Sequence, residues 1–216
     1  LDFSINSTLD FIKEFLSRHF EIISTFAMGS SIEDIQRAGE ADVNLVISSV
    51  GVLAAKVLEE RFHTPYVIGT PIIGFENVLA EKLIESAWTK KSQTAYFSVF
   101  QKAYKKDTDN FTTIQNTEAV SNLKKIRSLT ETIEKNKVSG NVYIIGESVI
   151  SQSLKAALAL RYGIEATVIC PLETEPEYTE KDVLLLSSEE DIKKAITDAD
   201  TVIAEPIYQT ICSEKV

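Results

Sequence analysis

The chain has 216 residues, 44% of them hydrophobic, and a formal charge of -10, a composition typical of a globular protein of one large or two small domains. That charge argues against sequence-blind nucleic-acid binding, which needs a positive surface, and against docking on an anionic membrane. No apolar run approaches the roughly 18 residues needed to span a bilayer, and Cys170 and Cys212 make no disulfide framework, so a cytoplasmic, reducing compartment is expected.

The opening "LDFSINSTLDFIKEF" lacks an initiator Met and reads as mature structure, so the chain is expected to be a fragment of a longer protein. Leu9, Ile12, Phe15 and Leu16 fall at helical spacing. "FEIISTFA" predicts a strand. "SIEDIQRAGE" predicts a short helix with Ser31 as N-cap and Asp34 at its third position, a variant of the capping box. The run Val43 to Ile47 is uniformly apolar apart from Asn44 and predicts a strand buried on both faces. It breaks at Ser48-Ser49 into a helix over about 51–62, and "PYVIG" predicts the next strand. This β-α-β-α-β alternation is the pattern of a parallel sheet with helical crossovers.

From Phe75 to about Val138 no strand pattern appears. Val120, Leu123, Ile126, Leu129 and Ile133 recur at helical spacing, and the pairs Lys90-Lys91, Lys105-Lys106 and Lys124-Lys125 read as solvated helix faces. Alternation then resumes: "NVYIIG" strand, "SVISQSLKAALALRYG" helix, "EATVIC" strand, "DVLLL" strand, "SEEDIKKAITD" helix, "DTVIAEP" strand. The stretch "SIEDIQRAGEADVNLVIS" is echoed by "SEEDIKKAITDADTVIAE", through an internal repeat or through shared α/β grammar. The expected fold is α/β, with Rossmann-like (chelatase-like) parallel-sheet halves joined by a helical segment. Its expected parts are 1–74, a Rossmann-like domain; 75–138, a helical connector; and 139–216, a second Rossmann-like domain truncated at its C-terminus.

Ligands of such folds bind beyond the carboxyl ends of the strands. Those ends carry Ser48-Ser49, Thr70-Pro71, Gly146-Glu147-Ser148, Cys170-Pro171 and Glu205-Pro206, with Tyr208 just beyond. The candidate ligand-binding residues are therefore Ser48, Ser49, Thr70, Gly146, Glu147, Ser148 and Glu205, with Cys170 as the candidate metal ligand. Each also has a structural reading. Ser48 and Ser49 can cap the following helix, Gly146 to Ser148 can be a tight strand-to-helix turn, and Cys170 can be a small buried hydrophobe. His63 sits where a helix C-cap is expected, and His19 at a similar junction. The set contains no histidine, which weakens the case for zinc or non-haem iron. The acidic "ETEPEYTEKD" reads as a solvated loop and lacks calcium-loop spacing.

The stretch "ADVNLVISSVGVLAAKVLEERFHTPYV" followed by "PIIGF" resembles the nitrogenase component 1 superfamily. That superfamily comprises molybdenum–iron protein subunits, cofactor-assembly scaffold subunits and subunits of dark-operative protochlorophyllide reductase. The motif residues are Asn44-Leu45-Val46, Phe62-His63-Thr64-Pro65-Tyr66, Pro71 and Gly74. "NVYIIGESVISQSLKAALALRYGIEATVI" and "DADTVIAEPIY" match more loosely, and His63 replaces the family's glycine.

The resemblance implies a redox subunit that binds an iron–sulfur or iron–molybdenum-type cluster, or a tetrapyrrole, in an interdomain cleft. It implies an ATP-dependent iron–sulfur reductase and a paralogous subunit as partners, with no nucleic acid and no membrane. Ser48 aligns with the cysteine that binds the iron–molybdenum cofactor in the catalytic subunit. A serine hydroxyl is a poor iron ligand beside a thiolate, so true nitrogenase activity is not expected. With two cysteines, no bound iron–sulfur cluster is expected either, and the fragment alone is not expected to catalyse. Ser48→Cys is expected to raise affinity for thiophilic metals. The alternative is a non-catalytic metal- or metal-chelate-binding module.

Overall fold

The computed structural model describes residues 5–26, 30–88, 140–172 and 181–212. Helix α1 (Ile5–Ser17) is followed by 20–26, which carries no strand. The expected strand "FEIISTFA" is thereby corrected. Among the described residues no strand pairs with it, and Ile22 and Phe26 stay 37% and 53% exposed. An extended segment without a ladder partner gains neither the hydrogen bonds nor the cross-strand packing that hold a sheet together.

Helix α2 (Ile32–Gln36) starts as its sequence predicts. The Asp34 amide donates to Ser31 Oγ at 3.1 Å, and the Ser31 amide donates to Asp34 Oδ2 at 3.3 Å, which closes the capping box. A 3-10 turn (Arg37–Glu40) leads to strand β1 (Asn44–Val46). A second 3-10 turn (Ser49–Gly51) leads to helix α3 (Val52–Phe62) and strand β2 (Tyr66–Ile68). β1 and β2 pair in parallel, Asn44 with Tyr66 and Val46 with Ile68. His63 ends α3 in the left-handed region at φ 55, its amide donating to Glu59 O at 2.8 Å.

Only Val46 of the run Val43 to Ile47 is fully buried, while its neighbours are half-buried. Among the described residues β1 has one partner, β2, where its composition predicts a strand with neighbours on both sides. After β2, Gly74 takes φ 98 and lies so close to a later helix that a Cβ would stand 3.3 Å from Ala157 O. That combination of backbone region and close approach accounts for glycine in "PIIGF". Helix α4 (Glu76–Trp88) follows, and residues 89–139, with the expected long helix, lie outside the described residues.

The second sheet has four parallel strands in the order β5-β4-β3-β6. They are β3 (Val142–Ile145), β4 (Ala166–Cys170), β5 (Leu184–Leu185) and β6 (Thr201–Ala204). Helix α5 (Ser148–Tyr162) connects β3 to β4, and α6 (Glu189–Ala195) precedes β6. A 3-10 turn (Pro206–Tyr208) and α7 (Gln209–Cys212) follow β6. The chain steps outward from β3 to β5 and then returns to the other side of β3. The strand order therefore reverses between β3 and β6, the switch point at which open α/β sheets form a crevice.

α5 packs on both sheets. Its Leu158 joins Val142, Ile144 and Val168 of the larger sheet. Its Ala156 and Ala157 join Val67 of β2, Phe75 of the turn before α4, and Leu79 and Leu83 of α4. Val149 reaches the opposite face of the smaller sheet, with Val46, Val52, Tyr66 and Ile68. Each such buried large apolar side chain stabilises the fold by roughly 1.5–3 kcal/mol. The seam between the sheets is thus filled along α5 and reaches the surface at the carboxyl ends of the strands.

Candidate functional site

Ser48 leaves β1 in extended conformation, φ -152 and ψ 151, and its side chain makes no capping hydrogen bond. Its carbonyl accepts the Gly51 amide at 3.0 Å, which closes the 3-10 turn before α3. The helix thus starts without the serine cap that its sequence offers. Ser48 and Ser49 are half-buried. The Thr70 hydroxyl donates to Ile47 O at 2.8 Å, and the Thr70 amide donates to Ser153 Oγ at 2.9 Å. Ser153 in turn donates to Val149 O at 2.7 Å, so Thr70 ties the exits of β1 and β2 to α5.

Glu147 is the N-cap of α5. Its Oε2 accepts the Ile150 amide at 3.0 Å, and its Oε1 accepts the Ser49 amide at 2.8 Å. One carboxylate thus joins Ser48-Ser49 to Gly146-Glu147, across 98 residues of sequence. Gly146 continues the ladder, its amide donating to Ile169 O at 3.1 Å. Ser148 is fully enclosed, and its hydroxyl accepts from Gln152 Nε2 at 2.8 Å. The structure therefore brings Ser48, Ser49, Thr70, Gly146 and Glu147 to one rim, with Ser148 beneath it.

Glu205 lies exposed after β6, and the Tyr208 amide closes the turn on its carbonyl at 2.9 Å. Burial first, then the negative charge of Glu205, push the Tyr208 phenol above its ordinary value. Cys170 is 1% exposed and its thiol points to Leu172 O at 3.6 Å. Cys212 is 3% exposed within a separate apolar cluster with Ile145 and Ile169, and burial pushes its thiol up. Both thiols are enclosed in separate apolar clusters, so they offer no paired ligand set at the rim. Among the described residues no group of three or more His, Cys, Asp or Glu side chains could hold a metal ion. These residues do not fit an iron–sulfur or iron–molybdenum-type cluster.

Sequence reasoning missed Ser153 and the apolar residues that follow the strands. Val50 after β1, Ile150 after β3, Leu172 after β4 and Ile207 after β6 are 87%, 46%, 52% and 76% exposed. The signal was present in the sequence: a large aliphatic residue within a few positions of each strand's polar stop. A hollow of about 450 Å³ lies at the opposite, amino-terminal edge of β3 and β4. Several of its polar groups are engaged with one another. Tyr143 and Asn141 donate to Asp198 at 2.9 and 3.1 Å, and Lys155 pairs with Asp182.

The family model described as nitrogenase component 1 type oxidoreductase matches residues 2–203. No curated protein and no solved structure matched the chain.

Proposed function

We propose a function that starts from one premise: the chain belongs to the nitrogenase component 1 type oxidoreductase family. At that level it is a nitrogenase component 1-like subunit. We propose further that it takes a flat, largely apolar, tetrapyrrole-like ligand at the carboxyl rim. An ATP-dependent iron–sulfur reductase delivers the electrons, and a paralogous subunit completes the assembly. A cluster ligated by this chain is not proposed, because the described residues offer no thiolate set for it.

One observation carries this reading: a large exposed apolar side chain follows each of β1, β3, β4 and β6. Adjacent strands lie about 4.8 Å apart, so the exits of β4, β3 and β6 fall within about 10 Å of one another. The Ser49–Glu147 hydrogen bond brings the β1 exit beside them. A large apolar patch rimmed by polar groups marks an interaction site. Val50, Ile150, Leu172 and Ile207 cover the face of the macrocycle and exclude water. Ser48 and Glu205 orient its polar edge.

Titration of the purified chain with an uncharged, water-soluble porphyrin is expected to give saturable quenching of porphyrin fluorescence. Val50→Asp and Ile207→Asp sit at exposed positions and spare the fold. Each is expected to weaken binding about tenfold or more, the equivalent of one lost apolar contact. Absence of saturable binding, or unchanged affinity in both variants, would sink the proposal. Binding without reduction by an iron–sulfur reductase would instead identify a non-catalytic chelate-binding module.

A further inference from the structure

Two helix starts meet at the Glu147 carboxylate. The Ser49 amide is the first of the 3-10 turn that runs into α3, and the Ile150 amide lies in the first turn of α5. Such amides have no partner within their own helix and carry partial positive charge, so they attract anions. Here both are already taken, at 2.8 and 3.0 Å, by one carboxylate of the chain itself.

The second half supplies a comparison. Ser31 corresponds to Ser188, Asn44 to Thr201, Ser49 to Pro206 and Val52 to Gln209, with no gap, and each pair opens the same kind of element or caps it. Pro206 has no amide hydrogen, so the bridge made at Ser49 has no counterpart in the corresponding stretch of the second half.

We infer that Glu147 determines which ligands the rim accepts. Its carboxylate fills the anion position at this corner and ties the β1 exit to the β3 exit. A phosphate or carboxylate arriving there meets a fixed negative charge and finds the Ser49 and Ile150 amides already engaged, so a ligand with a neutral or cationic edge is favoured. The inference rests on the rim being the ligand site, as proposed above.

The test follows backbone amide resonances of the whole chain while inorganic phosphate or formate is added. In the parent, the Ser49 and Ile150 amides are expected to stay in place through millimolar phosphate. Glu147→Ala is expected to lower Tm by about 5–10 °C, for two lost hydrogen bonds to a charged acceptor. Formate is then expected to bind saturably, shift both amides and restore part of the lost Tm.

Ser49→Pro removes one donor while keeping the turn, as Pro206 does in the second half. Its extended predecessor Ser48 tolerates a following proline. On that background Glu147→Ala is expected to cost visibly less Tm than in the parent. Saturable phosphate shifts of Ser49 in the parent, no formate response in Glu147→Ala, or an equal Tm loss on both backgrounds would each overturn the inference. If Glu147→Ala does not fold, the parent titration decides alone. These readouts need no porphyrin: their failure with porphyrin binding intact removes this inference only, and the reverse removes the proposed function only.

Discussion

Gly140, two residues before β3, holds φ 81, and a Cβ there would stand 2.0 Å from Asp200 Oδ2. That oxygen accepts the Asn141 amide at 2.8 Å, so it cannot move aside without breaking the bond that starts the strand. Gly140→Ala is expected to destabilise the protein by about 2–4 kcal/mol, from the left-handed backbone and the clash together. A fall in the urea midpoint with an unchanged slope would verify it. His63 presents the reverse case. It is exposed, holds φ 55 and serves only as a helix stop, so His63→Gly is expected to stabilise by about 1 kcal/mol. An unchanged or lower Tm in that variant would refute the assignment. The left-handed cap at His63 was legible in sequence, because helix, polar break and "TPY" follow one another locally. The Gly140 constraint was not, since Asp200 is brought to it only by the pairing of β3 with β6.

Among the elements, α6 shows how a local signal becomes a stability. The Asp191 amide donates to Ser188 Oγ at 3.1 Å, and the Ser188 hydroxyl donates back to Asp191 Oδ2 at 2.8 Å. That hydroxyl first, and Lys194 second, hold the Asp191 carboxyl below its ordinary value. A carboxyl with a depressed native pKa adds stability above its unfolded pKa and loses it as pH falls through the native one. α6 is therefore expected to loosen below the ordinary carboxylate range, and Ser188→Ala to bring the Asp191 titration back up. A carbon-detected carboxyl titration that finds Asp191 at its ordinary value would contradict this. The helix starts at Ser31 and Ser188 were readable because the serine cap and its acidic third residue lie within four neighbouring positions. α5 was harder to read. It buries Ser148, Ser151, Gln152, Ser153 and Lys155, residues that in sequence suggest a solvated face. Their burial follows from partners that the sequence does not bring near, Lys155 with Asp182 and Ser153 with the Thr70 amide. The Ser49–Glu147 bond was hidden for the same reason.

At the scale of the molecule, α5 is core to both sheets, so the two are expected to unfold together. Leu158→Ala, in the cluster of the larger sheet, is expected to cost about 2–5 kcal/mol. It should lower hydrogen-exchange protection of Val46 and Ile68 in the smaller sheet as much as that of Ile144 and Ile169. Two separate transitions, or protection lost in the larger sheet alone, would show that the sheets are independent. No helix among the described residues is long and apolar enough to cross a membrane. The parallel α/β architecture and the rim at the strand exits were legible from alternation. The size of the first sheet was not, because "FEIISTFA" has the composition of a strand and no described neighbour to pair with.

The sharing of α5 also bears on how the chain could be divided. A cut ahead of Gly140 would separate the smaller sheet from the helix that covers it, exposing Val67, Leu79 and Leu83 on one piece and Val149, Ala156 and Ala157 on the other. Neither piece would be a self-sufficient unit. Each would carry half of one adhesive surface, and the pair would behave as complementing fragments whose reassembly could serve as a reporter of proximity.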